Sequence, residues 1–332
     1  MFRKKEMMMG IAIRLAQTGG PNVLKAESIT ETQPGPGEVW IEQEAIGVNY
    51  LDVTQRNGTV PIPLPSGLGL EAAGRVSAVG AEVANVAVGE RVAYILGPIG
   101  SYASGRLYPA ERLVRLPDNV STEDAATVLF KGVTAHYLLH STYAVGPGTV
   151  VLLYGVAGAL GQIVGPWAKS LGAFVIGVVS KEGSVARAQA AGCDAVRVWG
   201  ACDLPAEVTK LTGGHKAHVV YDSIGKLTFA TSLDCLRPRG LMVSFGASSG
   251  APDPVAVGTL NAKGSLFLTR PGLGAHATQL GEYHQRANAV LAAVTAGIIK
   301  PASWNIFPLS DVAAAHAALE SGKSAGAILL KP

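Results

Sequence analysis

Residues 150–161 read VVLLYGVAGALG. A hydrophobic run from Val150 to Leu153 breaks into small residues at Gly155, Ala157, Gly158 and Gly161, with Ala159 and Leu160 just before the last. A periodic segment over 162–170 follows at once. That order predicts a strand, a tight turn and a helix. A helix N-terminus carries backbone N–H groups with no intrahelical acceptor, and glycines let an anionic group come close. The stretch is therefore a candidate seat for a dinucleotide pyrophosphate. Its spacing departs from the strict G-x-G-x-x-G, since Val156 separates Gly155 from Ala157, so a plain strand-to-helix connection stays open at this point.

Outward from that turn the chain alternates. Helices are expected over 134–142, 160–171, 184–191, 204–212 and 227–236, and strands over 174–179, 195–198, 218–221, 240–245 and 264–268. Regular alternation of this kind signals an α/β doubly wound parallel sheet. Upstream of about Lys131 the texture is β-rich. Strands are expected over 38–46, 72–79 and 111–116, and another follows the Gly89–Glu90 turn within 87–95. Ser121 or Thr122 is placed to cap a helix begun by Glu123 and Asp124. The C-terminal part reads as helices over 276–297 and 310–321 and a strand over 327–330.

Composition narrows the class. At 332 residues the chain is long for one core, and two domains are expected. Hydrophobic residues make up 48% and charged residues 15%, which suits buried parallel strands. A net charge of +3, with no Lys/Arg run interleaved with aromatics, gives no support to nucleic-acid binding. No uninterrupted apolar run reaches the roughly 18 residues of a membrane span. The start, MFRKKEMMMG, lacks the apolar stretch of a signal peptide. It fits an upstream extension before a start near Met9 as well as it fits a function. The three cysteines, Cys193, Cys202 and Cys235, form no C-x-x-C, and their odd number argues against a disulfide framework and for a cytoplasmic setting.

The coenzyme can be read further. In a dinucleotide fold that keeps NAD, a carboxylate about 20 residues beyond the glycines grips the ribose 2′-hydroxyl. Here the second strand, FVIGVVS, ends in Ser180 and Lys181, with Ser184 and Arg187 nearby. A hydroxyl and an ammonium suit a 2′-phosphate, so NADPH is expected over NADH; solvated surface charges are the alternative. VVYDSIG (219–225) and MVSFGASSG (242–250) put polar and small residues, among them Ser223, Phe245, Gly246 and Ser248, just after two further strands. That is the sheet edge where doubly wound folds bind ligands, although a loop without a ligand role stays open.

Taken together, GPNVL (20–24), GVNYLD (47–52), PSGLGLEAAGRVSAVG (65–80), FKGVTAHYLL (130–139), GVAGALG (155–161), VVYDSIG and RGLMVSFGASSG (239–250) resemble the medium-chain dehydrogenase/reductase superfamily. Within it the chain is similar to the zinc-independent, zeta-crystallin-like quinone oxidoreductases. The resemblance implies a GroES-like β-rich catalytic domain over 1–131, a Rossmann NADPH-binding domain over 132–272, and a segment over 273–332 that completes the first. It also implies a coenzyme cleft between domains and a homodimer paired around residues 264–270. Zinc-dependent members carry a Cys in the segment matching GVNYLD and a His in the segment matching GLGLE. This chain has no Cys before residue 193 and has Leu70 at the His position, so no metal is expected; Glu71 alone makes no zinc site.

The activity so implied is hydride or one-electron transfer from NADPH to a quinone. An enone or alkenal double-bond reductase is the alternative, and a non-enzymatic crystallin-like or RNA-binding role a third reading. Asn49 is the first catalytic candidate, with an amide able to donate to a carboxamide or substrate oxygen. Tyr50 is its neighbour, and Asp52 either orients this segment or ties down Arg56. Lys131 and Thr134 of the KGVT segment, Arg270 and Lys323 are further coenzyme candidates. The chain departs from the family pattern in two places. No aromatic occurs from Val53 to Pro65, a region where relatives carry them. Ser184 and Trp199 replace a Lys and a Tyr near the adenine end, where Trp199 either stacks on the base or packs in the core.

Overall fold

The computed structural model describes residues 9–332. Residues 1–8, read above as a candidate extension, lie outside the described part. The chain divides into two units. Among the described residues, one comprises 9–130, Gln279–Thr295 and Pro301–Pro332; the other comprises Lys131–Thr278 and Ala296–Lys300.

The second unit is a six-stranded, wholly parallel sheet. Its spatial order is Ala195–Val198, Phe174–Val179, Val150–Tyr154, Ala217–Asp222, Leu236–Ser244 and Phe267–Thr269. The chain starts at Val150–Tyr154, winds outward to one edge, then returns to the other side of its first strand. The sheet therefore reverses direction between Val150–Tyr154 and Ala217–Asp222, and doubly wound folds bind ligands at such a reversal. The two strands Val150–Tyr154 and Phe174–Val179 are apolar and almost wholly buried, as strands in the middle of a parallel sheet are. Leu152, Ile176, Val178, Val220 and Met242 pack into one buried cluster with Leu204 and Val208 of the helix Leu204–Leu211.

The first unit holds a seven-stranded sheet built mainly on Glu38–Val48, which pairs antiparallel with Glu71–Val79 and with Gly105–Pro109. The C-terminal strand Ala327–Lys331 joins it on the other side, with Ile328 opposite Val48 and Leu330 opposite Ile46. The last strand of the chain thus extends the N-terminal sheet. Leu309, Val312 and Ala315 seal the same core as Ile41, Ile46, Tyr94 and Tyr102. A smaller sheet places Met9–Leu15 between Leu24–Thr30 and Ser66–Gly67.

Several elements differ from the reading of the sequence. The helices expected from Glu123 and over 134–142 are one helix, Thr122–Tyr137, ending in a π turn, Leu138–Thr142. Ser121 caps it: its Oγ accepts from the Asp124 N–H at 3.0 Å. Gly132 lies buried inside the helix. The long helix expected over 276–297 is two, Leu273–Ala277 and Leu280–Thr295. The short helix Tyr50–Arg56 and the strands Leu24–Thr30 and Ser303–Pro308 carry mostly exposed or polar residues at many positions, so no apolar period announced them.

Candidate active site

The 155–161 turn is shaped by backbone. Gly155 sits at φ +65°, a left-handed conformation that costs glycine little. The Gly158 N–H closes on the Gly155 carbonyl at 2.9 Å, and the Gln162 N–H reaches the Gly158 carbonyl at 2.9 Å. Among the described residues, the N–H groups of Ala159, Leu160 and Gly161 meet no protein acceptor. They lead into the helix Gly161–Ser170, whose N-cap Leu160 has no capping side chain. A Cβ on Gly161 would lie 2.4 Å from both the Gly155 carbonyl oxygen and the Val156 Cα. Only glycine lets the helix start this close to the turn.

Two further residues meet at this edge. A Cβ on Gly155 would stand 3.2 Å from the Ser223 Oγ, and one on Gly246 only 2.6 Å from the Ser223 carbonyl oxygen. Gly155, Ser223 and Gly246 thus lie side by side at the carboxyl ends of three adjacent strands. Asp222, fully buried, holds the middle loop. Its carboxylate accepts the Ile224 and Gly225 N–H groups at 2.8 and 3.0 Å and the hydroxyls of Thr228 and Ser232. The Phe245 N–H donates to the Asp222 carbonyl at 3.0 Å, and the Ser248 N–H to the Ser223 carbonyl at 3.2 Å. Arg270 reaches back to the Ser244 carbonyl with Nη1 at 3.3 Å.

At the end of Phe174–Val179, Ser180 and Lys181 are exposed. Ser184 is buried, its N–H closing on the Lys181 carbonyl at 3.0 Å. Trp199 is half-buried against the core and meets the Tyr154 ring edge-on at 5.9 Å. Lys131 is buried and Thr134 half-buried in the later half of the helix Thr122–Tyr137.

The first unit places Asn49 quite differently, through side chains. Asn49 is extended at the N-cap of Tyr50–Arg56, and its own N–H donates to Asp52 Oδ2 at 2.9 Å. Its Nδ2 donates to Glu71 Oε2 at 2.9 Å, while Glu71 Oε1 accepts the Phe130 N–H at 2.7 Å. Asn49, Asp52 and Glu71 are all buried. Gly47 leaves room for this carboxylate, since a Cβ there would lie 2.1 Å from Glu71 Oε2. Asp52 Oδ2 thus ties down the Asn49 backbone, and Glu320 engages Arg56 with two contacts of 2.8 Å. Tyr50 is 52% exposed. Lys323 is an exposed residue of this unit, after the helix Val312–Glu320.

Tyr102 and His316, which sequence reasoning missed, extend this network. The Tyr102 hydroxyl donates to Asp52 Oδ2 at 2.8 Å and lies 3.0 Å from His316 Nε2. His316 Nδ1 in turn lies 3.2 Å from Arg56 Nη1. Burial, and then the Arg56 charge, push His316 down to about 4, so the imidazole is neutral near neutral pH. Burial, reinforced by the Asp52 charge, raises Tyr102 well above its usual range and keeps the phenol a donor. A lone His in an alanine-rich helix and a Tyr between small residues carry no sequence signal; Glu71 stands in a motif, but its position there suggests only the zinc role that this chain lacks the ligands for.

Burial also pushes Cys193 and Cys235 up to about 12, so neither is a ready thiolate. No group of three or more His, Cys, Asp or Glu converges among the described residues, and Leu70 is buried. No helix among them is long and apolar enough to cross a membrane.

Residues 35–118 match the family described as "Alcohol dehydrogenase GroES-like domain", and residues 159–280 the one described as "Zinc-binding dehydrogenase". Quinone oxidoreductase 1 of Escherichia coli is 42% identical over 327 residues, covering 98% of this chain and all of that one. The chain belongs to the quinone oxidoreductase family of medium-chain dehydrogenase/reductases. Another relative, the 2-haloacrylate reductase of a Burkholderia species, is 42% identical over 98% of this chain and 99% of its own. Among solved structures, that of the Escherichia coli quinone oxidoreductase complexed with NADPH superposes with a TM-score of 0.91 at 41% identity, covering 97% of this chain and all of that one. The β-rich first unit and the doubly wound second unit are the two domains of this family's fold.

Proposed function

We propose that the protein is an NADPH-dependent reductase that transfers hydride to a quinone without a metal ion. The carrying observation is the turn at the sheet's reversal point, where three neighbouring N–H groups have no protein acceptor and glycine alone fits the helix start. Those donors suit a pyrophosphate, and Ser180 with Lys181 suits a 2′-phosphate. The residues present therefore fit the coenzyme named in the structure of the Escherichia coli relative. Bound there, NADPH supplies a hydride from C4 of its nicotinamide.

In this reading Ala159, Leu160, Gly161 and the exposed Lys181 bind, and Gly155, Ser223 and Gly246 leave room for close backbone approach. Phe245, Ser248 and Arg270 frame the same edge; Lys131 and Thr134 add a charge and a hydroxyl from the long helix; Lys323 is a further cation for the coenzyme, and Ser184 and Trp199 back the adenine end. Asn49 orients the reacting carbonyl or carboxamide through its amide, the rotation of which Glu71 fixes. The acceptor oxygen takes its proton from water. A quinone needs no Lewis acid, because the charge it gains is delocalised, and proximity with one oriented polar group suffices. Tyr50 and Asp52 contribute shape and orientation.

An activated enone is the second acceptor class. The 2-haloacrylate reductase is as similar as the quinone reductases, and no aromatic between Val53 and Pro65 is available to stack on a planar ring. The edge strand Phe267–Thr269, where Phe267 is 61% exposed, is the proposed homodimer contact. Three unpaired cysteines are consistent with a cytoplasmic setting. The test is NADPH oxidation by chelator-treated protein with 1,4-benzoquinone. A saturable rate, far higher with NADPH than with NADH, is expected; tight NADPH binding with no turnover of the quinone, but turnover of an enone, would move the assignment to the second class.

A further inference from the structure

The first unit contains a buried polar chain much larger than one capping interaction requires. The Arg56 guanidinium is 2% exposed and engages Glu320 with Nη1 and Nη2 and the Gly19 carbonyl with Nε at 3.0 Å. Arginine only donates, so His316 Nδ1 accepts from it, and the single proton of the neutral imidazole sits on Nε2. Nε2–H then donates to the Tyr102 oxygen, and the Tyr102 hydrogen goes to Asp52 Oδ2, which also takes the Asn49 N–H. Each step has one direction only. The chain runs from Glu320, 33% exposed at its side chain, through Arg56, His316, Tyr102 and Asp52 to the backbone of Asn49. From the other side, Glu71 grips the Asn49 side chain.

We infer that Tyr102, His316, Arg56 and Glu320 are positioning residues for Asn49, acting through Asp52 to hold the Asn49 backbone while Glu71 holds its amide. The inference rests on the catalytic reading of Asn49 given above. Burying an ion pair and a carboxylate is a poor route to stability alone, because well-packed apolar residues of similar volume often do as well or better. A chain in which the donor and the acceptor of every link are fixed does something apolar packing cannot: it allows one rotamer and one tautomer at every link. The end of the chain is the one residue of this region whose amide must face a reacting group at a fixed angle.

A double-mutant cycle on the full-length protein tests it, with NADPH and 1,4-benzoquinone as probes and rates read well below each variant's Tm. Tyr102→Phe keeps the ring and removes the hydroxyl that links His316 to Asp52. It is expected to lower kcat about tenfold and leave the KM for NADPH within about twofold. In an Asn49→Ala background, Tyr102→Phe is expected to lower kcat no further, because there is no amide left to position. His316→Gln, whose amide donates from nitrogen and accepts at oxygen in the same sense, is expected to keep most of the rate, whereas His316→Leu is expected to match Tyr102→Phe. An unchanged kcat in Tyr102→Phe, or an equal and additive loss in both backgrounds, would overturn the inference while leaving Asn49 catalytic. If Tyr102→Phe does not fold, the same cycle with His316→Leu separates the same two outcomes. A full rate in Asn49→Ala alone would instead overturn the functional reading of Asn49, and the inference with it.

Discussion

The 155–161 turn and the Asn49 network are built by opposite means. The turn is local and made of backbone: successive residues supply its donors, and its geometry depends on missing side chains at Gly155 and Gly161. The Asn49 network is made of side chains whose partners are 22, 50, 214 and 264 residues apart in the chain. A ligand whose charge is always the same can be held by a rigid backbone nest. A reacting oxygen needs one polar group at a set angle, and that takes several side chains converging. Binding energy and rate should therefore separate between the two regions.

The largest expected effect lies in the turn. Gly161→Val forces a side chain into the Gly155 carbonyl, so NADPH affinity should fall 100-fold or more, about 3 kcal/mol. A fluorescence titration of NADPH, with circular dichroism to check the fold, measures it. An affinity within tenfold of the parent would break the claim that the turn is the binding element.

In the network, pH is the probe. His316 falls from its ordinary 6.5 to about 4 in the folded state, so the unfolded chain binds more protons across that interval. Stability should be full above pH 6.5 and decline as pH falls towards 4, by about 3 kcal/mol at most from this group. The Arg56 hydrogen bonds hold Glu320 below the usual carboxylate range and add a loss in the same direction. Urea unfolding from pH 7 to 4 measures the slope, and His316→Gln should flatten it. A parent and variant with the same slope would show that His316 is not a buried neutral group.

Much of the second unit was legible in the sequence, for a physical reason. Strands buried on both faces read as short apolar runs, as in VVLLY and FVIGVV, and Gly155 directly after the first marks where the chain turns. Asn49 was singled out in the sequence too, as part of GVNYLD. What stabilises Asn49 was not. Tyr102 and His316 meet Asp52 only because the C-terminal helix Val312–Glu320 folds back onto the N-terminal sheet, and no local pattern encodes that meeting. Asp222 lies at the same edge, yet its carboxylate is taken up by the N–H groups of Ile224 and Gly225 and the hydroxyls of Thr228 and Ser232.

Smaller effects sharpen the same contrast. Lys181 is exposed beyond the second strand, and Lys181→Ala should reduce the preference for NADPH over NADH about tenfold, read as the ratio of kcat/KM values. An unchanged ratio would remove Lys181 from the coenzyme site. Tyr50, beside Asn49 but half exposed, should matter least: Tyr50→Ala is expected to change kcat less than about threefold in a steady-state assay. A tenfold loss would make it part of the reacting site.

The most direct measurement is a stopped-flow single turnover of NADPH with 1,4-benzoquinone in the parent and in Asn49→Ala, alongside the NADPH Kd of each. The hydride-transfer rate should fall at least tenfold in the variant while Kd stays within about twofold. An unchanged rate, or a Kd that rises in step with the lost rate, would contradict the division between a backbone turn that binds and an oriented amide that reacts.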